Sequence, residues 1–149
     1  MKTVEEIKKT IDELYYWDMQ MVHLSCEYLV DEITLTYLFN DRNEITYHFK
    51  GCYESSFKHY LDYKKGGPTK DMPLTHVSYY MQSVEVEEFE VLENKAMRKR
   101  ERPPQKYRYL RFKIDAHPML IEIVCEDIEF SQKRYENQWS LPDVKVSEA

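Results

Sequence analysis

Between Val22 and Phe49 the chain alternates apolar and polar positions in three successive runs. Val22, Leu24, Cys26 and Tyr28 alternate with His23, Ser25 and Glu27; Ile33, Leu35, Tyr37 and Phe39 follow; Ile45, Tyr47 and Phe49 then alternate with Thr46 and His48. Successive side chains of a strand point to opposite faces, so these runs with short polar breaks predict an antiparallel meander. Upstream the period changes. Val4, Ile7, Ile11 and Leu14 recur at helical spacing, and Thr3 with Glu6 has the S/T-x-x-E form of a capping box, which predicts a helix from Thr3 to Leu14.

The second half of the chain also reads as strands. Val77, Tyr79 and Met81 alternate, then Val84 and Val86, after which the phase moves to Phe89 and Val91. One extra residue flips the facing of everything after it, so a bulge is predicted at Glu87-Glu88. Leu110, Phe112 and Ile114 face inward, Ala116-His117-Pro118 turns the chain, and the nearly continuous hydrophobic run Met119 to Cys125 predicts a central strand buried on both faces. Phe57 to Tyr63 fits a strand or a short helix. Lys64 to Pro73 and Asn94 to Lys106 read as loops, and the tail from Ser140 as loosely held. The fold class that follows is α+β: an N-terminal helix packed on a largely antiparallel, curved sheet of six to eight strands, able to curl toward a sandwich or half-barrel.

Length adds that residues 1–149 form a single domain large enough for a core of its own. The charged N-terminus has no apolar stretch of a secretory signal, and no run has the length of a membrane span, so the expected location is the cytoplasm, with no membrane partner. Cys26, Cys52 and Cys125 are odd in number and lie in or beside strand patterns, as expected of buried reduced thiols. The net charge of −6 conceals an asymmetry, because Glu93 to Arg108 carries seven basic and two acidic residues and the remainder is strongly acidic.

Candidate chemistry is sparse. His23, His48, His59, His76 and His117 have no zinc-site spacing, Gly66-Gly67-Pro68 is turn chemistry rather than a phosphate loop, and neither a metal nor a cofactor is expected. Cys52, Ser55 and Ser56 have no base at a telling spacing, and Glu54 with Asp62 is a carboxylate pair of the kind an acidic chain forms by chance, so no catalytic residue is assigned. The basic loop from Lys95 to Arg102, with Tyr107 and Tyr109 beside it, has the composition of a single-strand nucleic-acid grip. The acidic body opposes that use, since it repels a polyanion. The acidic stretch from Ser83 to Glu93 reads differently: with the bulge as placed, Glu85, Glu87 and Glu90 form an outward stripe that protects an edge strand or meets a basic partner. Glu122 and Glu126 are further candidates for that contact.

Trp17-Asp18-Met19 leading into Val22-His23-Leu24, then Ile33-Thr34-Leu35-Thr36-Tyr37, then Ile45-Thr46-Tyr47-His48-Phe49-Lys50-Gly51, resembles the opening of small β-rich bacterial immunity proteins encoded beside secreted toxins. Members of that class often begin with an aromatic or His-Asp step, followed by two or three meander strands and a glycine; this chain has Trp17-Asp18 in place of the His-Asp version. The resemblance implies a cytoplasmic inhibitor that binds one toxin domain and blocks its active site, with no catalytic residue to carry over. An acidic surface suits a basic, nuclease-like toxin, and abundant tyrosine suits an interface. The alternative is a β domain that binds a small molecule in an aromatic-lined cavity between helix and sheet. Oligomeric state is left open by the sequence.

Overall fold

A computed structural model describes residues 2–39, 43–59, 79–93 and 105–134. Helix α1 spans Val4–Glu13 and begins where the capping signal predicts: the Thr3 hydroxyl accepts from the Glu6 N–H at 3.1 Å. At the other end the Leu14 N–H bonds the Thr10 carbonyl at 2.9 Å, and the Leu14 carbonyl accepts from the Tyr37 hydroxyl at 2.5 Å. Val4, Ile7 and Ile11, one face at helical spacing, are buried in the same hydrophobic cluster as the strand residues below.

Six strands follow among the described residues: β1 Met21–Glu27, β2 Glu32–Phe39, β3 Asn43–His59, β4 Tyr80–Glu93, β5 Gln105–His117 and β6 Met119–Arg134. They form one antiparallel sheet in the order β1-β2-β3-β6-β5-β4. The meander read from Val22 to Phe49 is therefore present as β1, β2 and the first half of β3. The run Met119 to Cys125 opens β6, which lies between β3 and β5 at the middle of the sheet.

Two long strands, β3 and β6, form the spine. Their pairing passes through Gly51, which has φ +63, a backbone conformation that side chains with a Cβ resist. A Cβ there would also lie 2.7 Å from Glu126 Oε2. Past this point Tyr53 is an extra residue, because Cys52 pairs with Cys125 and Glu54 with Val124. The buried set changes phase there too, from Phe49 and Ile128 on one side to Cys125, Ile123 and Ile121 on the other. The spine is thus kinked, with its first half joined to β2 and its second half to β5. At one end the outer strands meet, through the bridge Gln20–Tyr80 and the hydrogen bonds Met21 N–H to Tyr79 O (2.7 Å) and Met81 N–H to Met19 O (2.8 Å). A sheet whose first and last strands touch has curled toward closure.

The interior is filled by aromatic rings packed edge to face. Tyr47 meets Tyr37 at 5.6 Å and Phe130 at 5.1 Å between centroids, and Phe49 meets Phe112 at 5.0 Å. Ile33, Leu35, Ile45, Leu110, Ile114, Ile121 and Ile123 surround them, all buried.

Several expectations need correcting. The β4 bulge lies at Gln82, between Met81 and Ser83, and the register then runs unbroken to Glu93, so there is none at Glu87-Glu88. The start of β6 is buried mainly on one face: Ile121, Ile123 and Cys125 are covered, whereas Leu120 is 43% exposed and Glu122 points to solvent. Cys26 is exposed, not buried, because β1 is a sheet edge and its pattern weakens toward Glu27. Tyr28 is not a strand residue but opens the turn. Phe57 to His59 is strand, and β5 starts at Gln105, inside the stretch read as loop. The loop at Lys64 to Pro73, the basic loop from Lys95 to Arg102, the side chains of Phe89 and Val91, and the tail from Ser140 lie outside the described residues.

Candidate functional site

The candidate acidic residues are divided among three places by the register. Glu85 and Glu87 share the outer face of β4, opposite Lys113 and Arg111 of β5, and Arg111 Nη1 lies 3.7 Å from Glu87 Oε1. Glu122, on β6, pairs with Lys113 from the other side. These three carboxylates thus lie beside two cations rather than in a bare stripe. Glu90 is an odd number of residues from Glu87 in an unbroken strand, so it points to the opposite face and sits in register with Arg108. The stripe of Glu85, Glu87 and Glu90 is therefore corrected: it depended on a bulge that lies earlier, at Gln82. Glu126 is apart from all four, exposed beside the Gly51 kink.

The reactive-group candidates are muted by their surroundings. Burial pushes the Cys52 thiol up to about 11, and burial raises Cys125 well above the usual thiol range. A thiol held protonated is a weak nucleophile. Cys52 Sγ instead donates to the Phe49 carbonyl at 3.8 Å. Burial likewise raises Tyr37 to about 12 and lifts Tyr47 further, so both phenols serve as neutral hydrogen-bonding groups in the interior. Among the described residues no three His, Cys, Asp or Glu side chains come together as a metal site. A recess of about 530 Å³ runs along α1 and β4 and is lined by Lys8, Asp12, Glu85, Glu87 and Arg111 with a few aliphatic groups. It has no aromatic lining.

A family model described as Immunity protein PIM7 matches residues 3–132, from the helix cap to two residues before the end of β6. The chain belongs to this immunity protein family. No curated protein matches it.

On the outer surface the sequence places the first turn at Val30-Asp31-Glu32, using Asp31; the turn is there, but it begins two residues earlier and its apex is apolar. The β1–β2 turn carries Tyr28, Leu29 and Val30, exposed to 69%, 99% and 41%. All three have positive φ, at 53°, 56° and 74°, a conformation that non-glycine residues avoid and that β-branched valine tolerates least. The turn is nonetheless pinned at its base, where the Asp31 N–H bonds the Tyr28 carbonyl at 3.1 Å and the Cys52 N–H bonds the Asp31 carbonyl at 2.9 Å. One signal in the sequence could have found the apex: Tyr28-Leu29-Val30 continues the apolar run through the position where a hairpin break normally carries Gly, Asn or Asp.

Proposed function

We propose that the protein is a non-enzymatic inhibitor that neutralises a cognate toxin domain in the cytoplasm by binding it directly. The observation that carries this reading is the immunity family to which residues 3–132 belong. Two features of the molecule support binding through the outside rather than through a cavity. The interior is occupied by interlocked rings of Tyr37, Tyr47, Phe49 and Phe112, and the recess between α1 and β4 is lined by charged and aliphatic groups rather than by the aromatics of the alternative reading. The chain, in addition, carries a net charge of −6, and outside Glu93 to Arg108 the balance is more acidic still.

That charge favours a basic toxin domain, such as a nuclease, because complementary potentials speed encounter and disfavour wrong partners. Glu85, Glu87 and Glu122 contribute to the field even though Arg111 and Lys113 lie among them, whereas Glu90 contributes on the other face. The test is stopped-flow association with the toxin domain encoded beside this chain, at low and high ionic strength. Tight one-to-one binding whose association rate falls as salt rises is expected, since screening shortens the reach of the field. Tight binding with a salt-independent rate would remove the basic partner from the reading, and absence of binding would remove the reading itself.

A further inference from the structure

The β1–β2 tip combines three properties that rarely coincide. It is apolar and exposed, with Leu29 almost wholly in solvent and Tyr28 and Val30 on either side of it. It is held in an unfavourable backbone conformation over three consecutive residues. It is also fixed to the spine rather than loose, through the Cys52 N–H and the Asp31 carbonyl. Exposed single hydrophobes are ordinary; a strained and braced apolar knob is not, because nothing in folding rewards it.

The base of the knob is acidic. Glu27 ends β1, and Asp31 and Glu126 stand on either side of Gly51, one through the Cys52 hydrogen bond and the other through the close approach of its carboxylate to the glycine. The neighbouring carboxylates are already engaged: Glu32 with His48 at 2.6 Å, Asp127 with Lys2 at 3.6 Å, and Glu129 with Lys50. Among the described residues no cation pairs with Glu27, Asp31 or Glu126. An apolar tip with unneutralised carboxylates behind it matches an apolar pocket with a basic rim. A second copy docked tip to tip is a poor occupant, since each acidic collar would meet the other.

We infer that the tip is the anchor by which this immunity protein holds its toxin: Leu29, braced by Tyr28 and Val30, enters an apolar pocket on the toxin domain, and Glu27, Asp31 and Glu126 face basic groups on the pocket's rim. This deepens the direct-binding reading above and rests on it. Burial of an apolar anchor at the centre of a contact governs residence time, whereas rim charges govern encounter. A rigid knob also loses little conformational freedom on docking, which is the advantage of having ordered it beforehand.

The experiment compares the unsubstituted protein, Leu29→Asp, the triple reversal Glu27→Lys/Asp31→Lys/Glu126→Lys, and Glu87→Lys, each against the purified toxin domain encoded beside the chain. Leu29→Asp is expected to weaken binding by about 30-fold or more through faster dissociation, with the thermal melt unchanged because the side chain touches nothing in the fold. The triple reversal is expected to slow association several-fold, and Glu87→Lys to change affinity by less than about threefold. A photo-crosslinking residue at position 29 should join the toxin domain at a pocket with Lys or Arg at its rim. If Leu29→Asp binds as tightly as the unsubstituted protein, the anchor is overturned while direct binding stands. If the unsubstituted protein itself fails to bind, both are overturned. A concentration-dependent dimer that disappears in Leu29→Asp would make a second copy the occupant and overturn the assignment to the toxin.

Discussion

The spine and the β1–β2 tip are built from the same kinds of side chain and treat them in opposite ways. Along β3 and β6, Tyr47, Phe49, Ile123 and Ile128 are buried, in backbone that apart from the glycine kink is ordinary extended strand. At the tip, Tyr28, Leu29 and Val30 are in solvent, and the backbone is left-handed at all three. In the spine, burying hydrophobes and relaxing the chain go together. At the tip both are given up, and a site that is costly in both respects is a candidate for contact with another molecule.

The sharpest way to break this contrast is to truncate one residue of each kind. Ile123 is fully buried at the centre of the sheet, and its replacement by Ala should cost about 2–5 kcal/mol, enough to unfold much of a marginal domain. Leu29→Ala should stay within about 0.5 kcal/mol in the same urea titration. Equal losses would mean that the tip is covered, or that the spine is not the core.

A smaller effect is expected where the helix end meets the sheet. The Tyr37 hydroxyl donates to the Leu14 carbonyl at 2.5 Å from a buried position, so Tyr37→Phe leaves that acceptor without its partner. The expected loss is about 1–2 kcal/mol by urea denaturation. No loss would show that the contact does not hold the end of α1.

The tip should respond with the opposite sign. Val30→Gly removes a β-branched side chain from a residue with φ 74° and should raise stability by roughly 1 kcal/mol, despite the entropy glycine adds to the unfolded chain. The same change should weaken toxin binding, and a variant that gains stability while losing affinity would locate strain and function in one place. Destabilisation would mean that the left-handed turn is not strained.

The weakest effects concern the thiols. Cys26 is exposed while Cys52 and Cys125 are held protonated by burial, so a thiol reagent should modify one cysteine quickly and two slowly, and Cys26→Ser should abolish the fast phase. Because the Cys52 pKa is raised in the folded state, the unfolded chain loses that proton first. Its contribution to stability is therefore complete below about pH 9 and declines between about pH 9 and 11. Tyr37 extends the decline toward pH 12. Urea midpoints that rise across this range would contradict the burial of both groups.

How much of this was legible in the sequence differs between the two regions in the same way. Helix α1, the meander and the central position of β6 were readable, because each is set by local periodicity with one buried face. The kink at Gly51 was not, since it depends on how two distant strands bend together, and the Gln82 bulge was misplaced because Glu87-Glu88 offered a plausible phase change of its own. That error carried Glu90 onto the wrong face. The turn after β1 was legible at Val30-Asp31-Glu32, but its apolar apex was not, because turn prediction rests on glycine, asparagine and aspartate and an apex made from Tyr28, Leu29 and Val30 breaks that rule.

The proposed mode of inhibition is stoichiometric binding. Its most direct test is to titrate the toxin domain's activity with this protein. Activity should fall linearly to zero at one molecule of inhibitor per toxin, and active, unmodified toxin should be recovered when the complex is denatured and the toxin refolded. Complete inactivation at a small fraction of one equivalent, or a toxin permanently altered after separation, would show that the protein acts by catalysis instead.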